Sequence, residues 1–175
     1  MSIPLEDLFN DVIAKSMRGL GLSDADLAAK SGASADAIAA AKSGAVDDAV
    51  LLKIAPHLSL HGPSLVTMAH NAWKPADISL SGLAQFNTTY HDMTVNAYLV
   101  WDAETKNAVA FDTGADAGPM IDFIEKHGLI LSLIFLTHTH PDHILDLAKL
   151  SADGAVTTFV HAREACAGAK TFELG

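Results

Sequence analysis

The sequence has 175 residues, half of them hydrophobic and 18% charged, which excludes a disordered chain and fits one ordinary domain or two small ones. Eleven Lys and Arg against 21 Asp and Glu give a formal net charge of -10, which argues against broad attraction to nucleic acid or to an anionic membrane. Cys166 is the single cysteine, so no disulfide can form within the chain. The start, MSIPLEDLFN, is acidic where a signal peptide needs a basic region, and no apolar run approaches the roughly 18 residues that span a bilayer. A cytoplasmic protein with no membrane partner is the expectation.

Residues 1–75 read as helical, because alanine-rich and apolar stretches alternate with glycine breaks and β-branched runs are absent. Four or five short helices are expected. Ser23 is placed to cap one that carries Asp24 and Asp26 in its first turn and ends at Gly32. Ser34 caps the next, which runs through Ile38 to Lys42 and stops at Gly44, and Val46 to Leu58 supplies another. Trp73-Lys74-Pro75 marks the junction, since a proline disfavours helix in the residue before it.

From residue 76 to 175 the pattern changes to strands. Thr94 to Trp101 and Ala108 to Phe111 predict a hairpin joined by the polar stretch Asp102 to Asn107. AFDTGAD then predicts a strand ending in a turn, Gly118 to His127 an amphipathic helix closed by Gly128, and Leu129 to Leu136 a strand covered on both faces. A helix over residues 143 to 150 and a strand at VTTFVH complete the order.

Chemistry concentrates at Thr137-His138-Thr139-His140-Pro141-Asp142-His143, three imidazoles and a carboxylate within six residues. A pattern H-x-H-x-D-H arises by chance on the order of 0.002 times in a chain of this composition. On an extended segment His138 and His140 point to one side, so both can face one cation, and Pro141 then turns the chain. Asp142 and His143 are carried away from that pair, which favours a second, adjacent metal position. His57, His61, His70, His91, His127 and His161 stand alone and read as surface or packing residues.

The run LIFLTHTHPDHI resembles the signature of the metallo-β-lactamase-fold hydrolases, and VNAYLV and AVAFDTGAD are similar to the strands that precede it in that fold. The resemblance covers residues from about 84 to 175. It implies an α+β chain whose second domain is the first half of an αββα sandwich. It also implies His138 and His140 as ligands of a first metal, with Asp142 and His143 as ligands of a second and Asp142 the catalytic candidate. Two zinc ions, or iron or manganese in their place, would hold a hydroxide that attacks a thioester or ester (lactone) carbonyl of a small-molecule substrate, as in the glyoxalase II branch. Leu145-Asp146 stands where such members often have small residues. The further ligands of the family pattern, a third His, a bridging Asp and a last His, come from well downstream, and only 32 residues follow His143. An incomplete metal shell, low activity, and a homo-oligomer or complementing C-terminal segment are therefore expected.

The helical part, GLSDADLAAKSGASADAIAAAKSGAVDDAVLLKIAPHL, is similar to the phage-repressor type of helix-turn-helix domain, with Ala35 to Lys42 in the place of the recognition helix. A DNA reader needs Arg, Lys, Gln or Asn on that helix, yet only Lys42 is basic there. Residues 1–75 hold six Lys and Arg against eight Asp and Glu, so nucleic acid is not the expected partner and a packing or dimerisation module is. The competing function is a regulator that binds DNA or senses a ligand, with the metal domain serving only to sense or to oligomerise.

Overall fold

The computed structural model describes residues 5–77 and 79–173. The chain divides into two compact units, Ser2–Ala76 and Asp77–Gly175. No helix among the described residues is long and apolar enough to cross a membrane.

The first unit is all helical: α1 (Phe9–Gly19), α2 (Asp24–Ser31), α3 (Ala35–Lys42), α4 (Asp48–Ile54) with a 3-10 turn over Ala55–Leu58, and α5 (Gly62–Ala69). Its boundaries follow local chemistry. Ser23 and Asp26 form a reciprocal capping box at the start of α2, Gly32 takes a left-handed φ of 69° at its end, and the Ser34 hydroxyl accepts from the Ala37 N–H. Asp47 caps α4, so the helix expected from Val46 starts two residues later and tightens into the 3-10 turn that contains Pro56. Ile13, Leu27, Ile38, Leu51 and Ile54 are fully buried and make the core.

The second unit is a six-stranded sheet in the order β1 (Leu83–Tyr90), β2 (Met93–Trp101), β3 (Asn107–Phe111), β4 (Ile130–Leu136), β5 (Thr157–His161), β6 (Lys170–Phe172). The first three strands are antiparallel, and β3 to β6 are parallel. Helix α6 (Gly118–His127) crosses between β3 and β4, and two single turns, α7 (Pro141–Ile144) and α8 (Leu147–Leu150), lie between β4 and β5. The helix expected over 143 to 150 is thus broken, because the Asp146 carboxylate turns away to accept the Ala117 N–H at the head of α6 (2.9 Å). Leu145-Asp146 therefore has a structural use.

One face of the sheet is covered. Ala97, Leu99, Ala108, Ala110, Ile134 and Val160 are fully buried under Met120 of α6 and Leu147 and Leu150 of α8. The alanines on β2 and β3 let the helix approach, and Phe123 packs between Phe86 and Trp101 at ring distances of 5.7 and 5.4 Å.

The opposite face corrects the expectation for β4. Ile130 is 59% exposed, Ser132 is exposed, and Phe135 is only half-buried, so this strand is covered on one side alone. Phe111, Phe135 and Phe159, paired in register across β3, β4 and β5, stack in a row at 6.0 and 5.6 Å on the open face. A continuous apolar run predicts two covered faces from sequence; here its second face is an aromatic ladder at the surface.

The turn after β3 leaves no room for a side chain at its glycine. Gly114 has a φ of 68°, and a Cβ there would lie 2.7 Å from the Thr88 hydroxyl, which accepts the Ala115 N–H. Gly114→Ala is expected to cost about 2 kcal/mol from the left-handed backbone and the contact together. Urea unfolding followed by Trp101 fluorescence in a Trp73→Phe background measures it; an unchanged midpoint would contradict the assignment.

Candidate metal centre

The motif lies past the C-terminal end of β4, where the parallel strands β3 and β5 also end. His140 is the residue before α7, extended at φ -63° and ψ 146°, and Pro141 opens that turn. Its carbonyl accepts the His143 N–H at 3.0 Å, which folds the second half of the motif back on the first.

The structure brings the four candidate residues together. The ring of His138 lies 4.6 Å from that of His140 and 4.0 Å from that of His143. The Asp142 Oδ2 is 3.6 Å from His143 Nε2. The contact is between rings and in pairs: among the described residues no group of three or more His, Cys, Asp or Glu is arranged to hold a metal ion.

Beneath the loop sits Asp112, to which the sequence reading gave no role. Its side chain is 5% exposed and its φ is 61°, a left-handed conformation uncommon outside glycine and Asn/Asp. Oδ1 accepts the Thr137 N–H at 2.7 Å, and Oδ2 accepts the Thr137 hydroxyl at 2.7 Å and His143 Nδ1 at 2.9 Å. Next to it Thr113, fully buried, donates its N–H to the His143 carbonyl at 2.9 Å. Asp112 follows from the parallel pairing of β3 with β4, which sets both strand ends side by side, the place where open parallel sheets carry their sites.

These bonds fix the tautomers. An ionised carboxylate can only accept, so His143 carries its proton on Nδ1 and keeps a lone pair on Nε2. The Thr137 hydroxyl gives its one proton to Asp112 and so accepts from His138 Nδ1, 3.0 Å away, which leaves His138 unprotonated at Nε2. Burial, with the neighbouring His143 and His140 rings, holds the His138 pKa below its ordinary value. A neutral ring is the form a metal ligand needs.

As a donor set, neutral imidazoles and a carboxylate fit zinc, iron or manganese. A histidine whose second nitrogen is held by a buried carboxylate is the usual support of such a ligand. Beside the loop a concavity of about 550 Å³ is floored by Phe111, Phe135 and Phe172, with His161, Arg163 and Glu164 among its other lining residues. A larger cavity of about 740 Å³ in the helical unit, walled by Leu8, Val46, Met68 and Trp73, has no histidine in its lining.

Residues 92–175 match the family model described as the metallo-beta-lactamase superfamily. A hydroxyacylglutathione hydrolase from Bdellovibrio bacteriovorus is 47% identical over 55 residues, 31% of this chain and 22% of that protein. A probable polyketide biosynthesis zinc-dependent hydrolase from Bacillus velezensis is 37% identical over 57 residues, 32% of this chain and 25% of that protein. Among solved structures, the BLEG-1 B3 metallo-beta-lactamase is 29% identical, covering 47% of this chain and 38% of that one, with a TM-score of 0.43. The match to the metallo-beta-lactamase superfamily is thus confined to residues 92–175, and the stretch shared with the two relatives spans about a quarter of each.

Asp112→Asn would set an amide N–H₂ against Thr137 and His143, reversing the bonds that fix both rings. It is expected to lower zinc affinity 10- to 100-fold, read by competition with a chromophoric chelator. An affinity equal to wild type would show that Asp112 does not orient the pair.

Proposed function

We propose that the second unit is the metal-binding part of a hydrolase that cleaves a thioester or an ester, lactones included. His138 and His140 would hold one ion, and Asp142 and His143 a second. The observation that carries the reading is the buried Asp112, which holds His143 and, through Thr137, His138 by their Nδ1 atoms. Bound there, two divalent cations would supply Lewis-acid chemistry, lowering the pKa of a water molecule between them and polarising the substrate's carbonyl oxygen.

The chain's own residues then have separate tasks. Asp142 would add the negative charge that holds the second cation beside the neutral His143 ring, the basis for assigning it a catalytic role. Thr137 and Asp112 keep the rings in one tautomer through the reaction. The thioester class follows the relatives' printed names, hydroxyacylglutathione hydrolase among them. Each ion has two donors here, whereas a catalytic zinc takes three from protein. A second copy or a complementing C-terminal segment would supply the remainder, and this chain by itself is expected to turn over slowly.

The helical unit reads best as a helix-turn-helix arrangement of α2 and α3 used for packing or dimerisation. Lys42, the one basic residue of α3, is held by Asp24 at 2.7 Å, which removes it from phosphate contact. A cytoplasmic setting belongs to the same reading and rests on the lone Cys166.

The test is thiol release from a hydroxyacylglutathione thioester by the chain loaded with zinc, iron or manganese. Slow, metal-dependent turnover that falls about 100-fold or more in His140→Ala is the expected result. Hydrolysis that survives chelation, or that His140→Ala leaves unchanged, would contradict the proposal.

A further inference from the structure

We propose that Glu164 is a positioning residue for the motif: its carboxylate clamps Thr139 from the turn after β5 and thereby holds His138 and His140 on one side of the chain. The inference rests on the reading of residues 138–143 as a metal centre and adds a residue that supports it without touching the ion.

The backbone ladder explains why a clamp is needed. The pairing of β4 with β5 ends at Leu136 and Val160, so the extended segment that follows has lost its strand partner on that side. Thr139 nevertheless has both its donors satisfied. Its N–H lies 3.0 Å and its hydroxyl 2.8 Å from the same oxygen, Glu164 Oε2. A carboxylate thus takes the place of the missing ladder carbonyl.

Side-chain bonds do the rest, because β4 ends at Leu136 and the chain bends at Thr137. Thr137 is tied to Asp112 at the end of β3, and Thr139 to Glu164 beyond the end of β5. Two carboxylates, one beyond the end of each flanking strand, grip Thr137 and Thr139 on either side of His138. The 4.6 Å approach of the His138 and His140 rings is the consequence.

Glu164 is itself built in. It ends a 3-10 turn over Ala162–Glu164, and His161 Nδ1 accepts the Arg163 N–H at 3.2 Å to start that turn. The two bonds from Thr139 keep the Glu164 carboxyl below the usual carboxylate range, so it stays ionised and accepting at neutral pH. Both Thr139 bonds fall on Oε2, so that oxygen is engaged in holding the segment.

The experiment compares wild type, Glu164→Gln, Glu164→Ala and Thr139→Val in two measurements. In the metal-free chain, NMR follows Thr139 amide exchange and the nuclear Overhauser contact between the His138 and His140 rings. Chelator competition then gives zinc affinity. Glu164→Ala is expected to speed Thr139 exchange at least about tenfold, to weaken the ring contact, and to lower zinc affinity about 10- to 100-fold. Glu164→Gln keeps one amide oxygen able to accept both bonds and should restore affinity to within about fivefold of wild type. Thr139→Val, isosteric and lacking only the hydroxyl donor, should fall between.

Unchanged exchange and ring contact in both Glu164→Ala and Thr139→Val would overturn the clamp. Loss of zinc in Glu164→Gln equal to that in Glu164→Ala, with Thr139 still protected, would overturn it in favour of a ligand role. If wild type binds no zinc but the exchange and ring contact still depend on Glu164, the clamp stands and the hydrolase reading fails.

Discussion

A carboxylate shut away from water is unfavourable unless its oxygens are engaged, and Asp112 has three donors to engage them. That requirement organises the second unit around its site. To reach them, Asp112 adopts a left-handed backbone, Gly114 must follow in a turn with no room for a Cβ, and Thr113 must lock the His143 carbonyl. The loop with the histidines is therefore not an independent hairpin of polar residues. It is the outer end of a hydrogen-bond network whose base is buried in the sheet.

The sheet makes such a network possible. Parallel pairing of β3, β4 and β5 brings three strand ends to one edge, so residues distant in sequence become neighbours there. Small residues on β2 and β3 let α6 pack closely on one face, which fixes the positions of those ends. The other face presents Phe111, Phe135 and Phe159 in a row. The same β3 and β4 thus carry two different surfaces, a packed one that sets geometry and an apolar one beside the histidine loop.

Much of this was legible in the sequence where the signal is local. Ser23, Gly32, Ser34 and Gly128 act through bonds within a turn, and they bound helices where expected. The six-residue motif is equally local. What escaped is non-local or weakly patterned. LAQFNTTY is too polar to read as a strand, yet β1 forms because β2 pairs with it along its whole length. The open face of β4 was invisible because an apolar run carries no record of what lies over it. Asp112 and Glu164 stand 31 and 25 residues from the groups they hold, and only the parallel register brings them there.

The most direct measurement of the account is the tautomeric state of His143 and His138 in the metal-free chain, from long-range nitrogen–proton NMR correlations at neutral pH. Acceptance by the buried carboxylate and by the Thr137 hydroxyl predicts that both rings carry the proton on Nδ1, with Nε2 showing the shift of an unprotonated nitrogen. Nε2-protonated rings, or the rapid averaging of a solvated imidazole, would contradict it.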